Sequence, residues 1–375
     1  MKILELCSFS AGGCGVWARA RQESELLAKN GHEILVMSSN LEKGSNKIVC
    51  SAENIKKVKI LRYPAKKLGG ESFMSWFGKK AIQKAIEFQP DIIMAHNYRH
   101  LHTTKALKIK KLLERQGKKC KVFLVTHAPF VEGNITRTKL QTLIVNFYDA
   151  FIGRANLNKF DKILAISNWE IPYLIKAGAR KENIVYIPNG IPEEFFKLKK
   201  QAKEENKILF LGRIAPKKKI ETIIESIPYI KDKNLIVEIV GPEETEYFNS
   251  LKRLIEKLNV KGRIIFSSAI YDLKKKIAKI DSCKSYVLAS RVEGMPQGLI
   301  EAMSRSKIVI GSNSVAIRDI IQDNENGYLF EFNNPKSLAD KINLAPKNKK
   351  IGKQARKSVE KFDWRIIIKH IESLF

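Results

Sequence analysis

At 375 residues the chain is too long for one hydrophobic core of ordinary size, so two domains of somewhat under about 200 residues each are expected. Hydrophobic residues at 44% and charged residues at 29% give a globular balance, and no run approaches the roughly 18 consecutive apolar residues of a membrane-spanning helix, which excludes an integral membrane protein. The formal net charge of +29 attracts nucleic acid, anionic lipid and phosphorylated substrates alike, and lysines spread over solvated faces would give the same number, so charge alone selects no partner.

Short runs rich in Ile, Val and Leu alternate with longer amphipathic segments, the pattern of βα units around parallel sheets. In the first half, strands are expected at Ile3 to Leu6, Glu33 to Met37, Lys59 to Arg62, Ile92 to Ala95, Lys121 to Val125, Lys162 to Ile166 and Ile184 to Ile187. The opening segment Ile3 to Cys7 carries Glu5 in its middle and is too short for a signal-peptide core, so a cytoplasmic location is expected. The five cysteines lie without metal-ligand or redox spacing, which suits reduced thiols.

After the first strand comes SFSAGGCGVWARA, where Gly12, Gly13 and Gly15 let backbone approach a ligand closely. Gly13, Gly15 and Ala18 meet the loose spacing G-x-G-x-x-A, but EILVMSSN at 33–40 lacks the acidic residue a nicotinamide dinucleotide needs. KKLGGESFMSWFGKK at 66–80 sets Phe73, Met74, Trp76 and Phe77 between lysines, and Thr104 to Lys121 is a basic amphipathic stretch. Both suit an anionic membrane surface, at the inner face of the cell membrane; the other reading of equal weight is that the aromatics pack beneath a lid or in the core. His127, in THAPF at the end of a strand, and His96 with Asn97, at the end of the strand before it, are candidate cleft-facing groups.

PNGIPEEFF and the polar stretch Lys197 to Lys207 form the linker. Beyond it strands are expected at Ile208 to Leu211, Ile236 to Val240, Ile264 to Phe266, Ser285 to Leu288 and Ile308 to Gly311. FLGRIAPKKKIE places Arg213 and Lys218 in a loop before a helix, where two cations could neutralise a diphosphate. SRVEGMPQGLIEAM, 290–303, runs from a strand through a turn with Gly294 and Pro296 into a helix near Gln297, whose free N–H groups and positive dipole end suit phosphate. Glu293 and Glu301 flank that turn and can address opposite ends of one ligand. The final FDWRIIIKHIESLF repeats apolar residues at helical spacing, suited to docking on a neighbouring domain.

The segment 290–303, the Arg213–Lys218 pair at its spacing, the glycine-rich loop and His127 together resemble glycosyltransferase family 4, retaining enzymes of GT-B fold. NWEIPYLIKAGARKENIVYIPNGI and SNSVAIRDIIQDNENGYLF are similar to further family segments, whereas about Ala65 to Arg115 has no recognisable counterpart. The resemblance implies two Rossmann-like domains facing across a cleft: residues 1–189, completed by a C-terminal helix at 361–375 that crosses back, and 190–360, which binds the nucleotide sugar.

It further implies that Glu301 binds the ribose hydroxyls and Glu293 lies beside the transferred sugar. The turn amides at Gly294, Met295, Gln297 and Gly298 hold sugar and diphosphate, Pro296 having none to give. Arg213 and Lys218 hold the leaving group, Gly13 and Gly15 reach toward donor phosphates and acceptor, and His127 lies against the donor sugar. Lys219 stands where the family usually has glycine, so the phosphate clamp could be Lys219 instead. The implied substrates are a UDP- or GDP-sugar and a glycan or lipid-linked acceptor. No Asp-x-Asp pair calls for a metal. A sugar-nucleotide epimerase of the same fold is the alternative. A nucleic-acid-binding protein has only the charge in its favour, since no RNA-binding signature accompanies it.

Overall fold

A computed structural model describes residues 1–45, 47–67, 74–130, 139–197, 203–348 and 350–375. The chain divides into two compact units, the first comprising Met1–Phe130, the stretch ending at Pro188, and Ile367–Phe375, the second Asn189–Ile366.

In the first unit, β1 (Lys2–Phe9), α1 (Gly15–Lys29), β2 (Glu33–Ser39), β3 (Ala52–Ile55) and β4 (Val58–Tyr63) come first in the chain. A two-residue pair, β5 (Lys66–Lys67) with β6 (Met74–Ser75), stands apart from the main sheet. Next come α2 (Lys79–Phe88), β7 (Ile92–His96), α3 (Leu101–Arg115), β8 (Lys121–Val125), α4 (Lys139–Phe147), α5 (Arg154–Leu157), β9 (Lys162–Ala165), α6 (Ile171–Lys176) and β10 (Ile184–Tyr186). The strand order is β10-β9-β8-β7-β1-β2-β4-β3, parallel except for the edge pair β3 and β4. The central strands are buried on both faces, as parallel strands covered by helices must be, which is why they read as unbroken apolar runs. β3 was not expected: AENI is an exposed polar edge with no apolar run to reveal it.

The second unit holds β11 (Lys207–Leu211), α7 (Ile220–Ser226), β12 (Ile236–Val240), α8 (Thr245–Lys257), β13 (Ile264–Ser267), α9 (Leu273–Asp281), β14 (Ser285–Leu288), α10 (Gln297–Ser304), β15 (Ile308–Ser312) and β16 (Tyr328–Phe330). Its sheet is wholly parallel, in the order β13-β12-β11-β14-β15-β16. In each sheet the first strand of the unit lies centrally, with the next strand on one side and a later one on the other. That reversal opens a crevice at the carboxyl ends, between the loops after β1 and β7 in the first sheet and after β11 and β14 in the second.

The terminal helix Trp364–Glu372 serves both units in turn. Trp364 fills the space beside Gly190, where an added Cβ would come within 2.3 Å of the indole, and Glu372 hydrogen-bonds Asn30 and His32 of the first unit.

Of the two readings of the segment 66–80, the core one holds and the membrane-facing one does not. Met74, Trp76 and Phe77 are at most 4% exposed and pack against Leu4, Met37, Ile93 and Ile109, while Phe73 lies outside the described residues. Burial of three large apolar side chains supplies more stabilisation than any surface could return to them, so the flanking lysines mark only where the segment meets water. The basic stretch at 104–121 is largely α3, which buries Ala106, Ile109 and Leu113 and turns Lys108, Lys111 and Arg115 outward.

Candidate functional site

The loop after β11 is held closely at its start. Gly241, at φ +153°, lies so near the Gly212 carbonyl that a Cβ there would come within 1.9 Å of it. Ile214 donates to the Pro242 carbonyl at 2.8 Å and accepts from Glu244 at 3.0 Å. From this anchored strand end Arg213 projects with 49% of its side chain exposed, its nearest acid, Glu244, 4.0 Å away.

A short 3-10 turn, Pro216–Lys218, then presents Lys218, whose Nζ donates to Glu293 Oε1 at 2.5 Å. The Arg291 amide donates to the Lys217 carbonyl at 3.4 Å, lashing the two loops together. Lys219 adopts φ +52° and ψ +45°, so the loop keeps the left-handed turn a glycine would make, and its ammonium bonds Glu221 at 3.0 Å. Lys218, not Lys219, therefore reaches the second loop.

The second loop and α10 carry both carboxylates around one phenol. Tyr286 donates to the Leu211 carbonyl at 2.9 Å, joining β14 to β11, and its acidity is suppressed by burial first and then by the charges of Glu301 and Glu293. Gly298 sits over this joint, since an added Cβ would lie 2.5 Å from the Tyr286 hydroxyl. Glu301 is buried and bonds Lys276 of α9 through Oε1 at 2.6 Å. It does not touch Arg213. The Gln297 amide, expected to face a ligand, donates to the Met295 carbonyl at 2.9 Å and is spent within the turn. Met295 Sδ accepts from the Asn189 amide at 3.2 Å.

Two features of this crevice call for a ligand. Ser290 Oγ, just after β14, and Gln297 Nε2, at the start of α10, are buried without a hydrogen bond among the described residues, while both oxygens of Glu301, one turn further along α10, lie 2.6 Å from the Lys276 ammonium. A buried polar atom left unpaired costs about 1–3 kcal/mol, so each of these two calls for a partner. The other feature is crowded positive charge. The Lys217 ammonium is pulled down by loss of solvent and then by repulsion from Lys218, with Arg213 adding to it. An anion with several oxygens would relieve both. Lys217 and Lys276 were missed in the sequence, where nothing separates them from the other lysines.

In the first unit the glycine loop divides differently than expected. Gly12 has φ +79° and a Cβ there would meet the Lys43 carbonyl at 2.5 Å, so the turn itself demands glycine. At Gly13 and Gly15 an added Cβ would meet nothing within 4 Å, leaving open space beside the start of α1. His127 follows β8 at φ +57° with Ala128 at +51°, and Asn97 and Arg99 after β7 are also left-handed. Four such residues at two adjacent strand ends are a store of backbone strain of the sort found at functional sites. His96 was expected to face the cleft; it is fully buried, bonded to Glu5 at 2.7 Å and to His127 at 2.9 Å. Among the described residues no group of three His, Cys, Asp or Glu side chains could hold a metal ion.

Two α/β units of this kind, each built on a parallel sheet, are those of the GT-B fold, and solved structures of that fold match the whole chain. HepE from Anabaena in complex with UDP and glucose superimposes with a TM-score of 0.73 at 18% identity, covering 100% of this chain and 98% of its own. Residues 14–195 match the family model Glycosyltransferase Family 4 and residues 191–362 the model Glycosyl transferases group 1, so the chain carries glycosyltransferase domains of these two types. The first match spans the stretch from Ala65 to Arg115 that resembled nothing in the sequence alone.

Among curated relatives, an uncharacterised glycosyltransferase of Methanocaldococcus jannaschii is 26% identical over 69% of this chain and 68% of its own. N-acetyl-alpha-D-glucosaminyl L-malate synthase of Bacillus anthracis is 24% identical over 100% and 96%. Poly(ribitol-phosphate) alpha-N-acetylglucosaminyltransferase of Staphylococcus aureus is 27% identical over 69% and 46%.

Proposed function

We propose that this protein transfers a glycosyl group from a UDP- or GDP-sugar to an acceptor hydroxyl with retention of anomeric configuration, in the synthesis of a polysaccharide, glycolipid or envelope glycan. The observation that carries the reading is the pair of unpaired buried polar atoms at Ser290 and Gln297, on the loop and helix start that Lys218 and Lys217 tie to the crowded cations of the β11 loop. HepE with UDP and glucose supports a nucleotide-sugar donor, the two N-acetylglucosamine-named relatives support glycosyl transfer, and the poly(ribitol-phosphate) one supports a polymeric acceptor.

In this reading Glu301 holds the ribose hydroxyls, Arg213 and Lys218 take the charge that develops on the leaving diphosphate, and Glu293, steadied by Lys218, lies beside the sugar. Main-chain donors come from Gly294, Met295 and Gly298. From the first unit, Gly13, Gly15 and His127 serve the substrate at the ends of β1 and β8. The leaving phosphate accepts the acceptor's proton as the new bond forms on the same face. Trapping a sugar covalently on a carboxylate of this protein would overturn that step. Incubation with labelled UDP- and GDP-sugars, followed by anomeric-proton spectra of the product, tests the transfer and its stereochemistry; donor isomerised with no acceptor present would instead mark an epimerase.

We further propose that the first unit rests on an anionic bilayer through α4 and the turn after it. Leu140, Leu143, Ile144, Phe147 and Phe151 follow one another at helical spacing and are 67%, 66%, 41%, 59% and 65% exposed. A soluble helix would bury such a stripe. With +29 on each copy, self-association through it is opposed by charge, whereas anionic lipid is attracted. No helix among the described residues is long and apolar enough to cross a membrane. The chain should sediment with phosphatidylglycerol vesicles at low salt and less with phosphatidylcholine, and replacing Phe147 and Phe151 by serine should abolish it. Equal sedimentation of the double variant, or a dimer in gel filtration that the variant dissolves, would defeat the proposal.

A further inference from the structure

Three side chains in the first sheet form a hydrogen-bonded line from core to rim. Glu5 Oε2 of β1 lies 2.7 Å from His96 Nε2 at the end of β7, and His96 Nδ1 lies 2.9 Å from His127 Nε2 beyond β8. Glu5 and His96 are 0% exposed, while His127 is half-buried. With both rings neutral, the line admits two proton patterns. In the first, the Glu5 hydroxyl donates to His96 Nε2, His96 Nδ1–H donates to His127 Nε2, and His127 carries its own proton on Nδ1. In the second, Glu5 is a carboxylate and every link reverses. His96 Nε2–H then donates to Glu5, His127 Nε2–H donates to His96 Nδ1, and Nδ1 of His127 is a bare lone pair.

We infer that Glu5 and His96 are positioning residues which decide whether His127 offers a hydrogen-bond donor or an acceptor at the strand ends of the first sheet, the ionisation of Glu5 making the choice. The proton count closes. When Glu5 ionises, one proton crosses from Glu5 to His96 Nε2, one crosses from His96 Nδ1 to His127 Nε2, and one leaves from His127 Nδ1. Both rings are neutral before and after.

The surroundings select the donor form at neutral pH. Glu5 Oε1 is buried with no hydrogen-bond donor among the described residues, which suits an un-ionised acid. Burial pushes the Glu5 carboxyl up to about 8 against the opposing pull of Arg19, and burial pulls His96 down to about 4. The Arg19 Nε–H donates to Glu23 at 3.2 Å and its Nη1–H to the Ile187 carbonyl at 3.1 Å; burial pushes the Glu23 carboxyl up to about 7 against the pull of Arg19, so α1 sets a guanidinium and a second raised carboxyl beside the line. Cys7 of β1 carries a thiol that burial holds protonated. His100 and His102, at the start of α3, are also held neutral by burial; His102 Nε2–H donates to the His96 carbonyl at 2.7 Å and His100 Nδ1 meets Ser8 Oγ at 3.0 Å.

His127 therefore presents Nδ1–H, a donor fit for a sugar hydroxyl or phosphate oxygen. Its left-handed backbone aims the ring at the cost of about 1 kcal/mol or more of strain. Because the Glu5 carboxyl is raised by folding, its contribution to stability is full below the ordinary carboxylate range and is lost as pH rises through about 8.

The catalytic meaning rests on the proposed transfer reaction, but the test does not. Ring-nitrogen spectra of the six histidines in the full chain, with no substrate, report each tautomer directly, and a His127→Asn variant assigns the signal. His127 should be the Nδ1–H form near pH 6 and pass to the Nε2–H form through about pH 8, whereas in Glu5→Gln, which cannot ionise, it should keep one form throughout. A wild-type ring that holds one tautomer across this range, or becomes an imidazolium in it, overturns the inference even if Glu5→Gln fails to fold. Where donor turnover is measurable, its kcat should fall about tenfold per pH unit above about 8 with KM steady, and Glu5→Gln should remove that slope. Absence of turnover with the tautomer switch intact would fault the transfer reading alone.

Discussion

Lys218→Met should lower donor turnover by roughly 10²–10³-fold while leaving the fold intact, the loss typical of removing one preorganised charge from a transferring group. Lys218 is the cation that bridges the two loops, bonded to Glu293 at 2.5 Å with both side chains largely buried, so its loss strips the leaving group of a charge and leaves Glu293 without its partner. Arg213 cannot substitute, being half-exposed and 4.0 Å from its nearest acid. Lys218→Arg should recover part of the rate, because it restores charge with a different reach. Turnover within about threefold of wild type in Lys218→Met would place the diphosphate elsewhere.

Arg305→Met should destabilise the second unit by about 3–5 kcal/mol, through an interaction remote in role from catalysis. Arg305, following α10, is buried and grips Asp281 of α9 with two hydrogen bonds at 2.8 and 2.7 Å. It also donates to the Phe195 and Lys197 carbonyls, tying the start of the linker to the helix that carries Glu301. Removing the guanidinium strands a buried carboxylate and two carbonyls together. Adding Asp281→Leu should restore much of the loss, since the stranded charge is then gone. Urea midpoints of the single and double variants measure both; a single variant within about 1 kcal/mol of wild type would show that water already reaches the pair.

What the sequence disclosed, and what it hid, follows from where residue identity is itself the signal. The strands at 121–125, 236–240 and 285–288 coincide with their apolar runs because parallel strands are buried on both faces, whereas β16 is only three residues long and was missed. The segment 290–303 was legible because a strand, a turn and a helix start must follow in that order to seat an anion. Gly12, Gly13 and Gly15 look alike as letters, yet only Gly12 is crowded by the chain's own backbone. Phe147 and Trp76 could not be sorted into surface and core, because each is an aromatic in a mixed segment and the difference lies in which residues fold over it. Glu5 argued only against a leader segment, although its partners, His96 and His127, lie 91 residues and further along the chain.

Calorimetric titration of UDP and GDP into the 375-residue chain, with Glu301→Ala alongside, tests most directly whether the second unit grips a nucleoside diphosphate. One of the two nucleotides should bind at a single site, and Glu301→Ala should weaken it by about tenfold or more, the worth of hydrogen bonds to a charged group. Folded protein that takes up neither nucleotide at millimolar concentration, or binding that Glu301→Ala leaves untouched, would contradict the assignment.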